Sequence, residues 1–440
     1  MTNTTTPVTT LNQGQQNAAD GFFEFLFTDA KELIISGTAG VGKTYLLGHL
    51  INRVIPDYEK MCSMIGIKQV YHDVVMTATT NKAAEILSNA TRRPVQTVHS
   101  FLNLLVKEDY QTGRTELRRT SSWVVHTNTI VFVDECSMID SELRKAILEG
   151  TSNCKIIYVG DHLQLPPVLE SLSPIYRDNL PFFELTQPMR NSKSPALQAL
   201  CGQFRRTVET GIFLPIQTDG QDVSFLSPEE AENEVRNTFS CGDVDACVMA
   251  YTNATVNAVN EFVRAAKGLP PHFVKGEEAI FNRSMLLSRN ASFSAEERVL
   301  VLSVENYTSD YAFTGLDGKA HQITTRIHIL ENHFNQQFQL AVPENKAHLQ
   351  EYIKYFARLK DWNTYFWLQK TFPDLRPRYA STVHKSQGST FDTVFVDMAD
   401  IATCTNAVVA ARLLYVAASR PRSKIVFYGN KKTKYGEFIT

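Results

Sequence analysis

The sequence predicts an α/β protein with two tandem parallel-sheet units and two insertions. Three observations carry this. Apolar strand patterns alternate with helical patterns in two separate blocks. The first block holds a glycine-rich turn ending in Lys-Thr. Two stretches of short β-like runs interrupt the alternation.

The chain begins with "MTNTTTPVTT", which is Thr-rich and uncharged. It has no apolar core and no Arg-rich amphipathic pattern, so it is expected to be a disordered lead-in rather than a targeting signal. The first block contains "ELIISG" (32–37), "VVMTATT" (74–80), "TIVFVDE" (129–135) and "KIIYVGD" (155–161). The second contains "ACVMAYT" (246–252), "YASTVH" (379–384), "TVFVDM" (393–398) and "KIVFYG" (424–429). Within the first block, residues 105–122 carry "QTGR" between short extended pieces, a small hairpin with Gly113 at its turn. Residues 275–345 hold further β-like runs around "GLDGK" and suggest a small barrel or curled sheet. Residues 346–375 are helical in pattern. There Tyr352, Tyr355, Phe356, Leu359, Trp362 and Phe366 recur at helical spacing, which reads as a buried face.

Composition narrows the function classes. The 440 residues are 43% hydrophobic and 20% charged, as in a soluble globular protein. No apolar run approaches the ~18 residues that span a bilayer, so no membrane role is expected. The net charge of −2 excludes a uniformly basic nucleic-acid coat, so any such contact must use a local groove. Seven cysteines without a CxxC pair suggest free thiols in a reducing cytoplasm and no zinc site. Cys136 reads as a small residue in a tight strand exit.

The chemistry-bearing motifs follow. "GTAGVGKT" (Gly37, Thr38, Ala39, Gly40, Val41, Gly42, Lys43, Thr44) fits a phosphate-binding loop between a strand and a helix. Its backbone N–H groups face phosphate oxygens, Lys43 reaches the β- and γ-phosphates, and the Thr44 hydroxyl can hold Mg²⁺. "TIVFVDECSM" ends a strand in two acids. Asp134 suits the Mg²⁺ shell and Glu135 suits a general base for the attacking water. In "YVGDHLQLPPV", Gln164 follows a third strand end and is placed to sense the γ-phosphate. ATP and Mg²⁺ are the expected cofactors.

Together these blocks resemble helicases of superfamily 1B, in the RecD/Pif1/Dda-like branch, closest to phage Dda-type helicases. "LNQGQQNA" resembles the Q motif, which implies that Gln15 reads the adenine edge. "MTATTNKAAEIL", "VQTVHSFL", "LTQPMRNS", "YASTVHKSQGSTFD" and "LLYVAASRPRSKI" resemble motifs Ia, Ib, IV, V and VI. Ser419 stands where the last motif usually has Thr. The resemblance implies two RecA-like domains and assigns Arg190 and Arg420 to the γ-phosphate, where such a charge is worth roughly 10³–10⁵ in rate. Gly388 and Gln387 are expected to couple nucleotide to strand.

The implied domains are 1A at 1–190, including the hairpin at 105–122 as a pin or wedge; 2A at 195–274 and 378–440; and 2B at 275–377. In 2B, an SH3-like part runs to about 345 and a helical extension spans about 346–375. Thr79, Thr80, Asn81, Lys82, Thr97, His99, Ser100, Thr382, His384, Lys385, Ser386 and Gln387 are small donors with few cations, suited to sugar-phosphate contacts. Tyr110 or Leu117 of the hairpin would stack on the parting base pair.

The expected activity is ATP-dependent DNA unwinding, with 5′→3′ movement resting on the resemblance alone. Expected partners are single-stranded DNA, single/double-strand junctions, and single-strand-binding or replication proteins. A monomer in the cytoplasm is expected, the host's if the chain is phage-encoded. The alternatives are a translocase that displaces bound proteins and a nucleotide-switched DNA-binding scaffold.

Overall fold

The computed structural model describes residues 11–38, 40–167, 170, 172–187, 194–240, 242, 244–288 and 291–439. The expected lead-in at 1–10, Ala39 and Arg190 lie outside them. Two compact units form: Met1–Leu105 with Arg119–Ser192, and Val106–Arg118 with Lys193–Thr440.

The first unit is built on six parallel strands. In spatial order they are Phe182–Leu185, Glu32–Gly37, Lys155–Gly160, Thr129–Asp134, Asp73–Ala78 and Val95–Thr97. The inner strands are Val/Ile-rich and buried on both faces, which is why they read as continuous apolar runs. Phe22, Leu33, Ile35, Leu46, Phe132 and Ile157 belong to one core beneath the helices. The helix after the phosphate loop, Lys43–His49, passes through a π-helical turn at Leu50–Val54 into Ile55–Ile65. Pro56 follows that turn and has no N–H to close a regular helical bond.

Lys155 begins its strand yet is buried. Its Nζ donates to the carbonyls of Phe25 (2.8 Å), Thr28 (2.7 Å) and Ala30 (2.7 Å) and lies 4.3 Å from the Phe25 ring. The ammonium thereby closes the end of the Gln13–Phe25 helix and fixes that helix to the sheet.

The second unit has five parallel strands, in the order Val223–Leu226, Pro421–Tyr428, Phe391–Asp397, Ala246–Ala250 and Ala380–Thr382. An antiparallel sheet is inserted into it, ordered Gln337–Pro343, Ala320–Glu331, Arg298–Thr314, Glu278–Phe281 and Leu375–Pro377. Register slips near Val301 and between Val304 and Thr308 bend its longest pair.

The helical extension is two helices rather than one, Lys346–Arg358 and Trp362–Thr371. Lys360 takes a left-handed conformation between them, and Asp361 caps the second helix. The aromatic stripe is therefore not one face. Phe356 and Phe366 are buried, whereas Leu359 is exposed.

The hairpin pairs Leu104–Glu108 with Thr115–Arg119. Its tip packs on the helical extension. A Cβ on Gly113 would lie 2.4 Å from the Trp362 ring, and the φ of +71° also favours glycine there. Tyr110 meets Phe366 edge-on at 5.2 Å, and Lys370 binds both Glu108 and the Tyr110 hydroxyl.

Replacing Lys155 by Met keeps the bulk but removes the donor from three carbonyls, of which that of Phe25 is buried. This should cost about 2–4 kcal/mol, visible as an earlier first transition in urea.

Candidate nucleotide site and strand-contacting segments

Parallel pairing puts the carboxyl ends of the first unit's strands on one edge. Ser36 lies opposite Gly160, Gly37 opposite Leu185, and Ala78 opposite both Asp134 and Thr97. The phosphate loop, the acid pair and the Gln164 loop leave from this edge together. In the loop, Gly40 and Gly42 take positive φ. The Lys43 ammonium donates to the Gly37 carbonyl (2.6 Å) and the Thr38 carbonyl (3.1 Å). Thr44 follows it in the first helical turn.

Gln15 is buried, and its amide is engaged with backbone on both sides. Its Nε2 donates to the Val41 carbonyl (3.1 Å), and its Oε1 accepts from the Asn12 amide (3.1 Å). Asn12 returns the bond as the helix cap. An adenine edge would meet only the second N–H and the second lone pair.

Burial and the neighbouring Glu135 carboxylate push Asp134 up to about 7, against the pull of Lys43. Glu135 itself sits in the left-handed region at φ 52°. Gln164 is buried, with its Nε2 3.5 Å from Asp161 Oδ2.

The segments expected to grip a strand separate into two kinds. The Thr79 amide donates to the Asp134 carbonyl (3.3 Å) and its hydroxyl to the Glu135 carbonyl (3.2 Å), so Thr79 is bound to the acid pair. Thr80 and Thr97 are helix caps that accept the amides of Ala83 and Ser100 (3.1 Å each). A capping hydroxyl still has its hydrogen to donate, and Thr97 ends one strand while Thr80 follows its neighbour. Asn81 and Ser100 are exposed beside them, and Lys82 is half-buried. Burial lowers the pKa of His99, against a smaller opposing pull from Asp140.

In the second unit, Thr382 and Ser386 are buried and serve the local turn. Thr382 Oγ1 accepts the Lys385 amide (3.3 Å), and the Ser386 hydroxyl donates to the Val383 carbonyl (2.8 Å). His384 lies 6.2 Å from the Tyr251 ring, and burial lowers its pKa. The Lys385 ammonium is held by Asn282 and Glu296. The Gln387 amide donates to the His384 carbonyl, and Gly388 turns at φ 76°. Arg420 is buried, with Nε to the Val416 carbonyl (3.1 Å) and Nη1 to the Ser389 carbonyl (3.3 Å).

Sequence reasoning missed Asp400. Its carboxylate accepts the amides of Tyr251 (2.6 Å) and Thr252 (2.8 Å) and the hydroxyls of Thr252 (2.7 Å) and Thr255 (2.8 Å). It fixes the loop beside His384. A lone Asp in a short helix gave no signal of this.

Residues 25–170 match the family described as AAA domain, and residues 377–428 match the UvrD-like helicase C-terminal domain. The chain is 25% identical over 463 residues to the ATP-dependent DNA helicase dda of Enterobacteria phage T4, across 95% of this chain and 99% of that protein. An uncharacterised protein of Acanthamoeba polyphaga mimivirus is 21% identical over 510 residues, across 94% of this chain and 99% of that one. Among solved structures, Pif1 helicase from Bacteroides in complex with ADP-AlF3 and ssDNA matches with a TM-score of 0.50 and 13% identity, covering 98% of this chain and 95% of that one. A structure of two coordinating Pif1 helicases at forked dsDNA matches with a TM-score of 0.50 and 16% identity, covering 95% and 92%. The two parallel sheets are the tandem RecA-like domains of this fold.

Between its ordinary value of 3.8 and about 7, folded Asp134 keeps a proton that the unfolded chain releases, so stability falls as pH rises through that window. Asp134→Asn should therefore melt later than the parent at pH 8, with the gain shrinking toward pH 4. Thermal scans across that range test the sign.

Proposed function

We propose that this chain, a superfamily 1B helicase of the Pif1/Dda-like branch in sequence and fold, is an ATP-dependent DNA helicase. In this reading it moves 5′→3′ on single-stranded DNA and parts the duplex on its hairpin. The observation that carries the reading is the double link from Thr79 to the backbone of Asp134 and Glu135. It joins the acids of the nucleotide site to the segment proposed to grip the strand, and so offers a direct route between them.

The steps assigned to the chain's own residues follow from their settings. Lys43 exchanges the Gly37 and Thr38 carbonyls for phosphate oxygens. Glu135 takes the proton of the attacking water, and Gln164 orients that water from beside Asp161. Arg190 and Arg420 supply positive charge to the transferred phosphoryl. Mg²⁺ fits the donor set, because Thr44 and Asp134 offer hard oxygens and two crowded acids favour a cation. When bound, it neutralises charge on the phosphates.

Thr80 and Thr97 donate to successive phosphates, with Asn81, Lys82, His99 and Ser100 beside them. The tip's packing against Trp362 and Phe366 suits a braced wedge, with the tip rather than Tyr110 alone meeting the junction. Action as a monomer, in the cytoplasm, alongside single-strand-binding or replication proteins belongs to the same reading. Among the described residues, no helix is long and apolar enough to cross a membrane.

Single-stranded DNA should stimulate ATP hydrolysis. Lys43→Ala should abolish turnover in a folded protein, and Arg420→Ala should lower it by roughly 10³–10⁵. ATP hydrolysis that does not rise on adding single-stranded DNA would defeat the motor reading, and DNA binding without turnover would leave the scaffold.

Deleting Gln111–Arg114 should stop duplex opening while sparing strand-stimulated ATPase, and a 5′-tailed duplex should open in preference to a 3′-tailed one. Opening from the 3′ tail would reverse the polarity. Protein displacement without duplex opening by the intact chain would favour the translocase.

A further inference from the structure

We infer that Lys385 is a strap between the second parallel sheet and its insertion, with Asn282 as the positioning residue through which strand-stimulated ATP turnover becomes strand separation. The inference rests on the helicase reading above.

Lys385 belongs to a segment expected to touch phosphates, yet its ammonium faces the inserted sheet. Nζ lies 3.1 Å from Asn282 Oδ1, 3.3 Å from the Asn282 carbonyl and 3.3 Å from Glu296 Oε1. The two Asn282 oxygens accept hydrogen bonds from the ammonium, and Glu296 meets it as an ion pair. Burial lowers its pKa, while the Glu296 carboxylate favours the charged form.

Each acceptor is itself fixed. The Asn282 amide donates to the Asp374 carbonyl (2.8 Å), and its Nδ2 to Asp374 Oδ1 (3.0 Å). Asp374 pairs at 2.7 Å with Lys346, the first residue of the Lys346–Arg358 helix. Glu296 holds a left-handed turn at φ 65° and also pairs with Arg376. Arg376 in turn donates to the Ala380 carbonyl (2.9 Å). One carboxylate thus grips the chain on both sides of the Ala380–Thr382 strand.

The contacts continue to the hairpin. The Lys346–Arg358 and Trp362–Thr371 helices share a core through Phe356 and Leu368. The second helix carries Trp362 over Gly113, Phe366 against Tyr110, and Lys370 on Glu108. A contiguous set of packed and bonded groups therefore runs from Lys385 to the tip. Spatial continuity alone does not establish coupling, so the test measures coupling directly.

In the full-length chain, Asn282→Ala removes the shortest of the Lys385 contacts and the Nδ2 bond to Asp374, which weakens the strap without touching Arg376. Base pairs opened per ATP should fall about 2- to 30-fold, with the maximal DNA-stimulated ATPase rate and the half-saturating DNA concentration unchanged. Lys385→Met should reproduce that fall, and the double variant should be no worse than either single one. Its slope of log affinity against log salt for single-stranded DNA should equal the parent's. A slope shallower by about 0.7 would make Lys385 a phosphate contact and overturn the inference, as would an unchanged opening ratio in Asn282→Ala. Hydrogen exchange gives an arm that needs no activity: amides at 380–386 should exchange faster in Asn282→Ala. Unchanged exchange there sinks the strap even if the protein is a helicase. A parent ATPase that ignores DNA sinks the helicase reading while this arm still judges the strap.

Discussion

Parallel strand pairing is the constraint on which the rest depends. It sends every strand of a sheet toward the same edge, so the loops that follow must share that edge. In the first unit this gathers the phosphate loop, two acids, the Thr79 turn and the Gln164 loop within a few strand spacings. The crowding has local consequences. A Cβ on Gly160 would lie 2.7 Å from Cys136 Sγ, so only glycine lets that strand leave past its neighbour. Burial and the adjacent Glu135 raise the cost of ionising Asp134 at the strand's end, and Lys43 only partly offsets it.

Much of this was legible in the sequence. Inner strands of a parallel sheet are buried on both faces, so "TIVFVDE" and "KIIYVGD" declared themselves by continuous apolar character. Edge strands were not legible. Phe182–Leu185 and Val223–Leu226 have four residues each, too few for any period to emerge. The break at Lys360 was hidden because aromatic spacing persists across it, although the backbone does not.

For the site, residue types were legible and their partners were not. A threonine at a strand end can cap a helix, tie down a neighbouring loop or face solvent, and the letter is the same in each case. Thr79 takes the second role and Thr80 the first, although they are adjacent. Lys385 illustrates the same limit for a cation. Its direction is set by Asn282 and Glu296, about a hundred positions earlier in the chain. Gln15 looked like a ligand reader, and its amide also organises the phosphate loop from a helix start.

Glu135 holds a backbone conformation that L-residues other than Asn and Asp adopt at a cost of order 1–3 kcal/mol. Glycine at that position would relax the turn. Directed evolution that rewarded only heat resistance would therefore drift toward a chain that folds better and no longer has its proposed water-activating acid. Selection for turnover has to oppose that drift at this one residue in every generation.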